Sequence, residues 1–205
     1  MPLKDEKMLQ EGFCYLENIP YDIRYATSNN LIGRPLNGYK VNKCIVSHPV
    51  AKALEIAQNK AISQGCSLFI FEAYRPLKTL EDIVQWTLTP DIIGKQRFYP
   101  DIDKDQLFNL GYIALRSTHT RGAAVDVTLI NPITNQELDM GTEFDFFGEA
   151  SNTASNKISD LAKQNRATLL GIMSSAGFVN YEKEWWHFTL KDEPFPNTYF
   201  DFDIV

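Results

Sequence analysis

Two short segments of this chain gather the residue types that bind metals and move protons. The first is Ser117-Thr118-His119-Thr120-Arg121-Gly122-Ala123-Ala124-Val125-Asp126, and the second is Glu184-Trp185-Trp186-His187. A catalytic zinc takes three protein ligands and keeps an open position for water. His119, Asp126 and His187 make a borderline N/O set suited to that ion. A carboxylate that is not a ligand can take the proton from the water. Glu184, three residues before His187, is close enough for that role and differently aimed. Arg75, followed by Pro76, could steady the oxyanion of a tetrahedral intermediate. Taken singly, each residue also has an ordinary use. Either histidine can be a satisfied polar residue, Asp126 a turn cap, Glu184 a solvated side chain, Arg75 an ion-pair partner, and Trp185 and Trp186 core. Spacing alone leaves both readings open. No H-E-x-x-H is present, so the helical zincin arrangement does not apply.

The spacing does constrain the backbone. Two ligands of a tetrahedral zinc lie roughly 3–3.5 Å apart. Seven residues of strand would separate His119 from Asp126 by ~23 Å, and seven of helix by ~10 Å. The chain between them must double back, and Gly122 is the residue that permits the turn. His119 then lies on an entering segment and Asp126 on the polar face of the following strand. Residues three apart on a regular strand point to opposite faces. Glu184 and His187 therefore share a cavity only if the chain turns or bulges between them. His187 and Thr189 would share one strand face, with Trp186, Phe188 and Leu190 turned to the core.

Periodicity supplies the elements that must hold these residues. Ser47-His48-Pro49 reads as a helix start, residues 50–64 carry an apolar face at helical spacing, and Gly65 is a stop. Residues 67–72 read as a buried strand, with a turn after Arg75 forced by Pro76. A second helix is expected over 78–88, a strand over 124–130, a third helix over 156–175 ended by Gly177, and a strand over 186–190. Residues 13–25 look like an extended lead-in, 33–44 are rich in turn signals, and 89–111 and 131–155 read as loops. A loop as long as 131–155 is expected to be functional or mobile. The irregular order of helices and strands predicts an α+β fold with an antiparallel or mixed central sheet and flanking helices.

The chain has 205 residues, which suggests one domain over 1–205. With 44% hydrophobic and 22% charged residues it reads as soluble and globular. Twenty Lys and Arg against 26 Asp and Glu argue against nucleic acid or a membrane surface as partners. Leu68-Phe69-Ile70-Phe71 is far short of the ~20 apolar residues of a membrane span. The N-terminal run lacks the apolar core of a signal peptide. Cys14, Cys44 and Cys66 are odd in number and widely spaced, so they read as reduced thiols of a cytoplasmic protein. A homo-oligomer is compatible with the composition.

The run S-T-H-T-R-G-A-A-V-D followed by E-W-W-H resembles the S-x-H-x-x-G-x-A-x-D and E-x-W-H signature of zinc D-Ala-D-Ala peptidases, whose fold is shared with the hedgehog signalling domain. Further segments resemble D-alanyl-D-alanine dipeptidases of the VanX type: Y-A-T at 25–27, G-Y-x-V-N at 38–42, Y-R-P at 74–76, M-G-T-x-F-D at 140–145 and D-E-P-F-P-N-T-Y-F-D-F at 192–202. The resemblance covers residues 12–203. It implies one zinc ion per chain on His119, Asp126 and His187, Glu184 as catalytic base, and Arg75 as the stabiliser of the transition state. It places Ser117 and Thr118 at a substrate-side serine pair, with Thr118 standing where the family has Ser. Glu72 stands where the family has Asp, three residues before the arginine. The implied reaction is hydrolysis of the D-Ala-D-Ala dipeptide, a small zwitterion. Asp145 is the candidate for its ammonium end, and the 131–155 loop for excluding longer peptides. A D,D-carboxypeptidase acting on cell-wall peptides is the alternative within enzymes, and a zinc-containing binding domain without catalysis is the alternative outside them.

Overall fold

The computed structural model describes residues 9–205. Met1–Met8, most of the N-terminal run read above for a leader, lie outside the described residues. Six strands and four helices alternate irregularly: β1 Phe13–Tyr15, β2 Ile45–Ser47, α1 His48–Ser63, β3 Ser67–Glu72, α2 Leu77–Thr87, α3 Lys95–Phe98, β4 Ala124–Ile130, α4 Asp160–Ser175, β5 Phe178–Tyr181 and β6 Glu184–Leu190. The central sheet has the order β3-β4-β6-β5 and is antiparallel throughout, while β1 and β2 form a separate antiparallel pair. This is the expected α+β architecture.

The elements form for the reasons the periodicity suggests. On α1, Val50, Ala53, Leu54, Ala57 and Ala61 are buried, and Gly65 ends the segment in the left-handed region. On β4, Val125, Val127 and Leu129 alternate with Ala124, Asp126 and Thr128. All seven residues of the strand are buried, because helices cover one face and the candidate site occupies the other. The third long helix starts later than expected. Its N-cap is Ser159, whose hydroxyl accepts from the Ala162 N–H, and Ile158 precedes the helix. Leu161, whose spacing predicts a place on the helix's apolar face, is exposed. Strand β5 is only four residues long and escapes a periodicity reading, as do β1 and α3 within stretches read as lead-in or loop, and β2, which lies between the 33–44 turn signals and the helix and takes in Ser47.

The long connection at 131–155 is held firmly. Arg166 of α4 is buried, and its guanidinium donates to the carbonyls of Met140, Ala150 and Asn152. Three charge-assisted hydrogen bonds from one side chain fix both limbs of the loop to the helix. The loop therefore behaves as a wall that carries Asp145, rather than as a free flap.

Candidate metal centre

Three local devices bring the chemistry-bearing residues together. The first is the turn after His119. Gly122 has φ 68°, its N–H donates to the His119 carbonyl, and the Ala123 N–H donates to the Thr118 carbonyl. The turn is packed as well as bent: a Cβ on Gly122 would meet ring atoms of Phe13 at 2.5 and 2.6 Å. Ser47 does not use its hydroxyl to cap α1; it donates to the Gly122 carbonyl at 2.7 Å.

The second device is a bulge in β3. Ile70 pairs with Val127, and the next pair is Glu72 with Asp126, which leaves Phe71 as the extra residue. The strand then delivers Ala73 to the site, where its carbonyl accepts from His119 Nδ1 at 2.7 Å. The third device is a wider interruption between β5 and β6. Asn180 pairs with Phe188, and Tyr181 already with Glu184, so Trp185, Trp186 and His187 face no partner on β5. The Asn180 side chain fills the opening and donates to the carbonyls of Glu184 and His187. This is the bulge that Glu184 and His187 require if they are to face one cavity.

The outcome is a tight cluster. His119 Nε2 lies 3.2 Å from Asp126 Oδ2 and 3.2 Å from His187 Nδ1, and His187 Nδ1 lies 3.0 Å from Asp126 Oδ1. These separations match those of neighbouring ligands on one tetrahedral zinc. The protonation pattern argues the same way. A carbonyl can only accept, so His119 Nδ1 carries the hydrogen toward Ala73. Burial pulls the His119 pKa down to about 4, so the ring is neutral near pH 7 and Nε2 presents a lone pair. The other face of His187 meets two hydroxyls, Thr118 Oγ1 at 3.4 Å and Thr189 Oγ1 at 3.3 Å, which can accept from Nε2–H. With Nε2 as the donor, Nδ1 is the nitrogen left to face a metal ion. Two imidazole nitrogens and a carboxylate converge on one point, a donor set that a cation can satisfy. Among the described residues, His119, Asp126 and His187 are the group that could hold a metal ion.

Around the cluster lies a cavity of about 320 Å³, lined in part by Tyr25, Arg75, Asp145, Glu184 and Trp186. Glu184 Oε2 is 3.9 Å from His187 Nδ1, near the cluster without bonding to it. Burial, reinforced by Asp126 and Asp145, pushes the Glu184 carboxyl well above the usual range. Arg75 is stacked over the Tyr25 ring, 4.8 Å from its centroid, and lies 3.7 Å from Asp126 Oδ2. Its Nε is buried without a hydrogen-bond partner. Asp145 is buried, sits in the left-handed region at φ 62°, and accepts from the Tyr25 hydroxyl at 2.9 Å. Burial raises its pKa to about 7. The Ser117 hydroxyl accepts from the His119 N–H, and the Thr118 hydroxyl lies between His187 Nε2 and the Thr189 hydroxyl, from which it accepts. Glu72 is fully buried, accepting from the Tyr39 hydroxyl and the Ala73 N–H.

A model of the D-ala-D-ala dipeptidase family matches residues 14–205. The chain belongs to that family. Its relatives include the D-alanyl-D-alanine dipeptidase of Enterococcus faecium, 39% identical over 96% of this chain and 100% of the relative. The enzyme of the same name from Streptomyces coelicolor is 38% identical over 93% of this chain and 95% of the relative. That from Escherichia coli is 31% identical over 92% and 87%. Membership in the D-Ala-D-Ala dipeptidase family thus extends over nearly the whole chain, and the cavity lies within the matched region.

Several contributors were not read from the sequence as site residues. Tyr25 was noted only within Y-A-T, yet its ring carries Arg75 and its hydroxyl bonds Asp145. Asn180 and the Ala73 carbonyl left no signal, since a plug in a bulge and a main-chain acceptor have no sequence signature. Thr189 had one: it shares the strand face of His187.

Proposed function

We propose that the protein is a zinc-dependent dipeptidase that hydrolyses D-Ala-D-Ala to two D-alanines. The observation that carries this reading is the convergence of two histidine ring nitrogens and one carboxylate beside a buried glutamate outside the cluster, in a chain of the dipeptidase family. His119 Nε2, Asp126 and His187 Nδ1 would hold one zinc ion, which when bound polarises the scissile carbonyl and makes water acidic enough to act near neutral pH.

The remaining chemistry belongs to the side chains. Glu184 takes the proton of the attacking water and returns it to the leaving amine. A carboxyl whose proton affinity burial raises above that of an ordinary carboxylate is suited to that exchange. Arg75, fixed over Tyr25 and unable to lose its charge, neutralises the developing oxyanion. Its unpartnered Nε is a donor that a bound oxygen would satisfy. Asp145, tied to Tyr25, receives the substrate ammonium, and Ser117 and Thr118 border the other side of the cluster. The anchored 131–155 wall limits substrate length by steric exclusion. The three free cysteines suit a cytoplasmic setting.

The test is release of D-alanine from D-Ala-D-Ala by zinc-loaded protein, with and without a chelator. Turnover that stops on chelation and returns with zinc is the expected result. A zinc-loaded protein that releases no D-alanine would overturn the proposal.

A further inference from the structure

We infer that Arg116 binds the C-terminal carboxylate of the substrate and sets the requirement for a free carboxyl end. The inference rests on the dipeptidase reading and adds to it the residue at the end of the substrate opposite Asp145.

The argument begins with charge. Apart from the two histidines, the charged side chains that line the cavity are Arg75, Arg116, Asp126, Asp145 and Glu184. A zwitterionic dipeptide places an ammonium and a carboxylate at its two ends. Asp145 answers the first. The second needs a cation, and only two are available. Arg75 lies deep, 12% exposed, with a terminal nitrogen 3.7 Å from Asp126 Oδ2, so it belongs to the reacting centre. Arg116 is exposed at the rim, and no carboxylate among the described residues lies within ion-pairing distance of it.

Its neighbour makes the contrast clear. Arg116 and Arg121 both approach the Tyr199 ring, at 5.7 and 5.5 Å from the centroid. Arg121 is already neutralised, with Nε and Nη2 donating to the two oxygens of Glu193 at 2.7 and 2.8 Å. Among the described residues the Arg116 guanidinium has no side-chain hydrogen bond or ion pair; the Tyr199 ring steers it without using its forked donors. The anchors differ as well. Asp145 is held by the Tyr25 hydroxyl, whereas Arg116 lies over the ring of Tyr199, and both line the one cavity. A dipeptide in that cavity then has Asp145 for its ammonium and Arg116 for its carboxylate. Planar guanidinium and carboxylate groups pair through two parallel hydrogen bonds, which a carboxamide cannot reproduce.

The experiment uses full-length, zinc-loaded protein and two substrates, D-Ala-D-Ala and its C-terminal amide. Arg116→Ala should raise KM for D-Ala-D-Ala about 10-fold, the size of one charge-assisted pair at a partly exposed site. Its kcat should stay within about threefold, because the contact is made equally in ground and transition states. The same substitution should change KM for the amide by less than about twofold, and Arg116→Lys should recover part of the loss. An unchanged KM for D-Ala-D-Ala, or an equal loss on both substrates, would overturn the assignment. Calorimetric binding of D-Ala-D-Ala to Glu184→Gln, with and without Arg116→Ala, separates the two proposals. Arg116-dependent binding in a protein without turnover keeps the carboxylate site and removes the dipeptidase reading. Turnover without Arg116 dependence does the reverse, and absence of both binding and turnover removes both.

Discussion

Asp126 and His187 stand directly opposite each other across β4 and β6, and the Asp126 carboxylate lies 3.0 Å from His187 Nδ1. A register partnership of two interior strands thus supplies two of the three converging groups. Its geometry is as rigid as the sheet, and only His119 must be brought in by a turn. The consequences can be measured.

Glu184→Gln removes the proton acceptor and preserves the shape of the side chain. We expect kcat to fall by ~10²–10⁴-fold, the usual contribution of a positioned general base. Zinc content by elemental analysis should not change, since the carboxyl stands beside the cluster and not in it. Loss of zinc in this variant would show that Glu184 is a ligand.

Thr118→Val tests the support of His187. The hydroxyl lies 3.4 Å from Nε2, and a valine fills the same volume without it. Outer-shell partners of metal-bound histidines are worth about 10–100-fold in affinity. Because Thr189 lies at a similar distance, the single variant should lose about 10-fold in zinc affinity by competition with a chelating dye, and the double variant Thr118→Val, Thr189→Val should lose more.

Gly122→Ala should destabilise the fold outright. The residue sits at φ 68°, and the new methyl would overlap the Phe13 ring. That ring is itself packed against Tyr74, Phe195, Phe200 and Phe202, so it cannot swing away. Backbone strain and overpacking together cost about 3 kcal/mol. A melting temperature lower by roughly 6–12 °C is expected for a chain of this size.

Acid should act on the Asp82–Arg34 pair. Arg34 donates from two nitrogens to Asp82, and the Asn37 N–H adds a third bond, pinning the 34–37 turn to α2. The Arg34 hydrogen bonds hold the Asp82 carboxyl below its ordinary range. A depressed carboxyl pKa stabilises the fold above the unfolded value near 3.8, and that contribution is lost as pH falls through the native value. Half-exposure of Arg34 weakens the pair by screening, so Asp82→Asn should cost about 1–2 kcal/mol at pH 7. The difference between variant and parent in denaturant titrations should shrink toward acid pH; a constant difference from pH 7 to 2 would contradict this account.

The sequence by itself determined which residues the candidate site would draw on. If those at 119, 126, 184 and 187 share one centre, the chain must double back at Gly122 and bulge before His187, because ligand atoms must come within a few ångströms. Strand alternation on 124–130 and helical spacing on 50–64 were equally legible, since period reports which face is buried. Tertiary structure alone decided how those demands are met. Nothing local in Asn180 says that it will plug the β6 interruption, nothing in Ala73 that its carbonyl will fix a histidine tautomer, and nothing in Tyr25 that it will carry Arg75 and bond Asp145. These are contacts between residues up to 120 positions apart. A one-dimensional pattern records the face each residue occupies; which distant residue faces it is fixed only when the sheet register and the loop anchors are in place.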